Sequence, residues 1–190
     1  MIKYPQLLTE LKQDHARFAR VIGVLEHELG QIKAGDSEDW KLLADSFEYI
    51  EAYPDLVHHP REDAVYRYCS ESHPGMAASL MGLEDEHRQI CEATSQLGKK
   101  LNGILADSFL NREELIDDLE AYLRIQISHM AKEEGQVFPQ LMACLADDEW
   151  DALLAELESP DDPLFEDESL MAYNALYERI MTLEQNRVSE

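Results

Sequence analysis

The chain has 190 residues, enough for one domain with a hydrophobic core, and 45% of its residues are hydrophobic, which excludes a disordered chain. Its 40 acidic and 16 basic residues give a formal net charge of -24. This excess excludes nucleic acid and anionic membrane surfaces as partners, because both require clusters of Lys and Arg.

The first helix in chain order is predicted from apolar residues at helical spacing between Leu7 and Leu25, and it ends at the break 33–36. Ser37 is the predicted N-cap of the second helix, and Trp40 begins the apolar stripe of that helix.

Two prolines interrupt the second helix. Because Pro60 has no N–H, the carbonyl group of Leu56 loses its partner, and the helix is predicted to kink there. Pro54 predicts a second break, or the first residue of a restarted helix. This irregularity would turn His58 and Glu62 towards the interior of the protein.

The third helix is predicted between the breaks 70–75 and 107–108. Asn111 followed by Glu114 resembles a capping box and begins a fourth helix, which continues through Val137. Since no stretch alternates with period two, the predicted fold is all-α, an up-down antiparallel four-helix bundle.

Two more helices, over 147–157 and 169–183, are predicted beyond Pro139. We therefore divide the chain into a bundle over residues 1–146 and a C-terminal helical extension over 147–190 that packs on it.

The cellular setting is predicted from three observations. The N-terminus lacks the pattern of a signal peptide, and no apolar run approaches the ~18 residues of a membrane span. Cys69, Cys91 and Cys144 are far apart and form no CxxC motif, which indicates reducing conditions. We therefore expect a cytoplasmic protein that does not bind membranes.

Four histidines are predicted to lie in one layer of the bundle, one from each helix. Residues of antiparallel helices lie at the same height when they are equally far from the connecting turn, at ~1.5 Å per residue. His15 and His58 are nearly equally far from the first turn, and His87 and His129 are equally far from the last. All four therefore belong to one layer.

Two carboxylates join this layer, since Glu62 and Glu133 each follow a histidine by one helical turn. Burying such a group without a cation would cost several kcal/mol. Four imidazoles and two carboxylates are too many donors for one tetrahedral zinc ion, and no thiolate is among them. The set predicts two metal ions, and favours iron over manganese or zinc.

Four segments of the chain resemble the hemerythrin-like proteins, also called the HHE cation-binding domain family. The segments are Asp14-His15, HHPRED at 58–63, Glu86-His87 and HMAKEEGQVFP at 129–139. The resemblance covers residues 1 to about 145. It implies a non-haem di-iron site that binds dioxygen, peroxide or nitric oxide, with the metal ligands His15, His58, Glu62, His87, His129 and Glu133.

The chain departs from the oxygen-carrying hemerythrins at two places. Those proteins have a second histidine on the third helix, where this chain has Leu83 and Cys91. Their last carboxylate lies five residues after the fourth-helix histidine, which here is Glu134. Glu133 and Glu134 therefore both remain open as the bridging carboxylate.

Four other residues are not predicted to be metal ligands. His59 is predicted to point about 100° away from its neighbour, as an outer or structural residue paired with Asp63. Tyr66 and Tyr122 are either pocket residues or ordinary core tyrosines. His27 lies ~18 Å along its helix from His15, too far to join the site.

Three functions are compatible with these residues. The first is binding or sensing of dioxygen, peroxide or nitric oxide, with no catalytic residue assigned and with a homodimer or a separate signalling partner. The second is a peroxide-decomposing or iron-handling di-iron enzyme, although only Glu84 to His87 fits the Glu-x-x-His motif of ferritin-like sites. The third is a metal-free helical interaction domain.

Overall fold

The computed structural model describes residues 4–36, 38–109, 111–158, 160–165 and 173–188 and shows an all-α protein, which confirms the predicted class. The α-helices in chain order are α1 (Gln6–Ala34), α2 (Trp40–Ile50), α3 (His59–Ser72), α4 (Ala77–Leu80), α5 (Leu83–Leu105), α6 (Arg112–Lys132), α7 (Phe138–Cys144), α8 (Asp147–Glu156) and α9 (Asn174–Val188). A π-helical segment, Glu51–His58, joins α2 to α3, and a second one, Glu133–Val137, joins α6 to α7. A 3₁₀ turn, Pro74–Met76, precedes α4.

Four helical arms surround the centre of the protein. The first arm is α1, the second is α2 with its π segment and α3, the third is α5, and the fourth is α6 with its π segment and α7. Helix α1 packs on α2 and α6, and α5 packs on the same two helices, so the contacts close a ring. Such a ring is what a four-helix bundle requires, and the up-down direction of the arms stays a prediction.

Two helix starts can be compared with the sequence. The predicted cap Ser37 lies outside the described residues; the Asp39 carboxylate accepts the Leu42 N–H at 3.0 Å and caps α2. Asn111 accepts the Glu114 N–H at 3.3 Å, which confirms the predicted start of the fourth arm. Both caps satisfy an N–H group that a helix end leaves unpaired.

The core consists of two apolar clusters with a polar layer between them. In α1, the first cluster includes Leu7 and Leu11 and the second includes Phe18, while His15 lies between them. The other three arms are built in the same way. The layer is therefore closed off from water on two sides by packed side chains.

Both π-helical segments end two residues before a proline. The His59 N–H donates to the carbonyl group of Pro54, and the Phe138 N–H donates to that of Glu133, so each hydrogen bond spans five residues instead of four. The next residue is Pro60 in one arm and Pro139 in the other. Because a proline cannot donate the bond that an α-helix needs, one wider turn accommodates it. The irregularity predicted at Pro60 is thus a widened turn.

The C-terminal helices pack against the first two arms. Helix α8 contacts α1, and α9 contacts α1 and α2. Arg20 of α1 donates to the Glu184 carboxylate at 2.6 Å, and Arg179 lies 2.9 Å from the buried Glu28. The predicted helix start at Ser169 lies outside the described residues. The division at residue 146 stays a prediction.

No helix in the described part of the chain combines the length and the apolar character needed to cross a membrane.

Candidate metal centre

Glu62, at the centre of the polar layer, is surrounded by three imidazoles. One of its oxygens lies 3.2 Å from His58 Nε2 and 3.5 Å from His15 Nε2, and the other lies 3.4 Å from His87 Nε2. The glutamate is fully buried. It therefore connects side chains from the first, second and third arms.

Glu133 is surrounded in the same way. Its Oε2 lies 3.2 Å from His129 Nε2 and 3.4 Å from His15 Nε2, and its Oε1 lies 3.3 Å from His87 Nε2. The Tyr66 hydroxyl group also donates to Oε1, at 2.7 Å. The structure thus brings all six predicted residues together, and their assignment as ligands is a proposal.

The donor atoms form two overlapping groups. One atom each of His15, His58 and Glu62 lie within 4.8 Å of one another, and the same holds for Glu62, His87, His129 and Glu133. Two groups that share a carboxylate are suited to hold two cations close together, with the shared carboxylate between them.

Each of the four histidines is held at its other nitrogen, Nδ1, by a carboxylate from the preceding arm around the ring. The pairs are His58 with Asp14 (3.1 Å), His87 with Asp63 (2.6 Å), His129 with Glu86 (3.1 Å) and His15 with Glu134 (3.2 Å). A carboxylate on Nδ1 fixes the ring, and in the neutral imidazole it keeps the proton on Nδ1, so that the lone pair of Nε2 is free for a metal.

These outer carboxylates were missed as a set by the sequence reasoning, although a local signal exists. Asp14 and Glu86 each stand directly before a site histidine, and Asp63 and Glu134 each stand directly after a site glutamate. The partner of each acid lies on a neighbouring arm, so only the packing of the arms reveals the pairs.

The central atoms lack the partners that buried polar groups need. His58 Nε2, His129 Nε2, both oxygens of Glu62 and Glu133 Oε2 are buried without a hydrogen-bond partner among the described residues. Buried carboxylate oxygens without hydrogen bonds are costly, while a cation between these nitrogens and oxygens would satisfy all of them. The residues therefore fit a metal ion.

The electrostatics of the layer also favour positive charge. Burial opposes protonation of His15, but interactions with Glu133 and Glu134 outweigh it and raise its pKa to about 11. The same balance, with Asp63 and Glu133, raises the pKa of His87 to about 10. Burial also opposes ionisation of Glu133, yet its histidine neighbours lower its pKa to about 2. Without a metal, protons supply the positive charge that a cation would otherwise supply.

Glu133 and Glu134 differ in position. The Glu133 side chain is 0% exposed and faces three histidines, whereas that of Glu134 is 43% exposed and touches His15 Nδ1 and Lys12. Glu134 thus lies outside the ring of Nε2 atoms, and Glu133 lies inside it.

The predicted pairing of His59 with Asp63 was wrong. Asp63 pairs with His87, and the His59 Nδ1 lies 3.4 Å from Asp55 instead. His59 is buried, and its ring stacks on that of His87. The widened turn before His59 explains this placement, since successive side chains are separated by a smaller angle than in an α-helix. Burial lowers the pKa of His59, so its imidazole is neutral at pH 7.

The two tyrosines play different parts. Tyr66 reaches the site through its bond to Glu133, and burial raises its pKa well above the usual range, so the phenol keeps its proton. The Tyr122 hydroxyl group pairs with Thr94 and Gln126 and belongs to the core beside the site.

A small cavity adjoins the layer. It measures about 10 Å³, the room of roughly one water-sized molecule. Its walls are formed by four histidines and by apolar or neutral side chains: His15, Phe18, Val21, Ile22, Tyr49, Ile50, Pro54, His58, His59, Gln126, His129 and Met130.

A buried group of imidazoles and carboxylates between helices is typical of helical proteins that bind cations. Within this class, the family model described as Hemerythrin HHE cation binding domain matches residues 6–141, and the chain belongs to that family. The comparisons with curated proteins and with solved structures returned no match.

Proposed function

We propose that the protein holds two iron ions in the polar layer and binds or senses dioxygen, or a related small molecule such as peroxide or nitric oxide. The observation that carries this proposal is the set of buried, unpartnered nitrogen and oxygen atoms that face one another there. Nitrogen and oxygen donors without thiolate suit iron, and manganese or zinc less well.

The proposed ligands divide into two sets. His15 and His58 would hold one ion, and His87 and His129 the other. Glu62 belongs to both donor groups, and Glu133 joins the second group while its Oε2 also lies 3.4 Å from His15 Nε2. Iron at this place would supply redox chemistry and could bind a small ligand. The outer carboxylates keep each imidazole in position and leave its Nε2 unprotonated.

The size of the adjoining cavity supports a small ligand. Its volume of about 10 Å³, close to that of one water-sized molecule, is nearer in scale to a diatomic ligand or peroxide than to a bulky substrate. Phe18, Val21 and Ile22 give it an apolar side, which keeps bulk water from the site.

A second candidate function, peroxide decomposition, is favoured by Tyr66. Its protonated phenol lies beside Glu133 and can donate a hydrogen bond to a small molecule bound in the layer. Such a hydrogen bond would orient a bound peroxide beside Glu133.

One titration separates these functions. The iron-loaded protein is reduced without oxygen, and dioxygen, nitric oxide and hydrogen peroxide are added in parallel while visible absorption and peroxide concentration are followed. A binder is expected to change its spectrum with dioxygen or nitric oxide and to regain the original spectrum when the gas is removed. Peroxide consumption over many turnovers would favour the enzyme, and Tyr66→Phe should then slow it while keeping the iron. No response to any of the three would contradict the proposal.

A further inference from the structure

His59, on the second arm, is a fifth histidine built like the other four. It is 5% exposed, and its Nδ1 lies 3.4 Å from Oδ1 of Asp55, one turn earlier in the chain. Asp55 is 7% exposed, and neither of its oxygens has a hydrogen-bond partner among the described residues. This buried carboxylate therefore faces the outer nitrogen of the imidazole, as a carboxylate does in the other four pairs, but here it comes from the same arm.

The ring of His59 lies against two of the proposed ligands. Its centroid is 4.4 Å from that of His87, with the planes 14° apart, and 5.9 Å from that of His129. One ring nitrogen each of His59, His87 and His129 lie within 4.8 Å of one another. Three imidazoles from three different arms thus bring donor atoms to one place.

The charge of Asp55 also favours a cation beside His59. The Asp55 carboxylate is buried and accepts no hydrogen bond from the described residues, an arrangement that is costly when no cation is near. A cation bound to the other nitrogen of His59 would polarise its Nδ1–H towards Asp55 and compensate the carboxylate through the ring. The four other carboxylate–histidine pairs are arranged in this way around the centre.

We propose that His59 is an additional metal ligand, which binds the ion held by His87 and His129 through the nitrogen that does not face Asp55. This inference rests on the proposed function, since it requires an ion at that place. It makes the two ions unequal, with three imidazoles at one and two, His15 and His58, at the other.

A purely structural His59 is the competing explanation. In that case the side chain would only fill space between the arms and pair with Asp55 and with Cys91, whose sulfur lies 3.8 Å from Nδ1. The two explanations differ in the iron that the variants bind.

The test is anaerobic titration of the wild type and of His59→Ala with ferrous iron, with Mössbauer spectra of the filled proteins. The wild type is expected to bind two ions in two unequal environments. His59→Ala should keep one ion at wild-type affinity and bind the other more than ~100-fold more weakly, beyond the ~10–100-fold that loss of an outer partner costs. Added imidazole should restore the second ion and its spectrum.

Three further variants distinguish a metal-binding His59 from a purely structural one. Asp55→Asn is expected to weaken the same ion by ~10–100-fold, and Cys91→Ala should leave both ions unchanged. His59→Gln keeps the volume of the side chain and should lose the same ion as His59→Ala, with circular dichroism to verify the helices. Two ions at wild-type affinity with an unchanged spectrum in both His59 variants would overturn this inference alone. A wild-type protein that binds no iron would overturn the proposed function, and this inference with it.

Discussion

Glu133→Ala is expected to release most of the bound iron and to lower the melting temperature by roughly 10 °C. The side chain is fully buried and faces His15, His87 and His129, so its removal takes the inner carboxylate from three imidazoles at once. Breaking a buried pair of this kind costs about 3–5 kcal/mol, and loss of a bound ion adds to this cost. Each kcal/mol shifts the melting temperature of a chain of this size by about 2–4 °C. Iron per chain and thermal unfolding measure the two effects.

Glu134→Ala is the matched control, since it removes the neighbouring carboxylate from the outside of the ring. Its contacts are with His15 Nδ1 and the partly exposed Lys12, so we expect iron affinity to fall by ~10–100-fold and saturation still to reach two ions. If Glu134→Ala empties the site while Glu133→Ala does not, then Glu134 is the bridging carboxylate.

His87→Ala is expected to have the second large effect, a loss of iron with a comparable fall in melting temperature. Its Nε2 lies 3.4 Å from Glu62 and 3.3 Å from Glu133, and its Nδ1 pairs with Asp63 at 2.6 Å. Removing the ring takes one of three imidazoles from each of the two buried glutamates and opens a cavity in the layer. Iron content and thermal unfolding of the metal-free and iron-loaded variant separate the packing effect from the metal effect.

His27→Ala is the control for this substitution. His27 lies on α1, is partly exposed, and belongs to none of the donor groups of the described residues. Neither iron content nor melting temperature should change. A fall in iron content would mean that the four histidines of the layer have been assigned wrongly.

The placement of the four histidines in one layer was predictable because it depends only on chain distance from the turns. His15 lies on the first arm and His129 on the fourth, yet the Nε2 atoms of both lie within 3.4 Å of Glu133 Oε2. The start of the fourth arm was also predictable, because the capping residue Asn111 is recognisable in the sequence.

The orientation of His59 was not predictable from the same rules. Sequence spacing assumes about 100° between neighbours on an α-helix, and a proline indicates only that the regular pattern fails nearby. Whether the helix kinks at Pro60 or widens into a π turn depends on packing against the other arms. The widened turn Glu51–His58 brought His59 inward and removed its expected pairing with Asp63.

The ring of outer carboxylates required the tertiary structure for a similar reason. Asp14 precedes His15 in the chain but pairs with His58, and Glu86 precedes His87 but pairs with His129. The rotation of each arm decides which neighbour an acid can reach. The predicted homodimer or signalling partner also stays a prediction.

Iron in crystals of the wild-type protein, located by anomalous scattering after aerobic iron loading, tests the central claim most directly. We expect two ions per chain between Glu62 and Glu133, one beside His15 and His58 and the other beside His87 and His129. Crystals without metal in this layer, or with iron bound only at surface carboxylates, would contradict it and would leave a helical interaction domain as the remaining function.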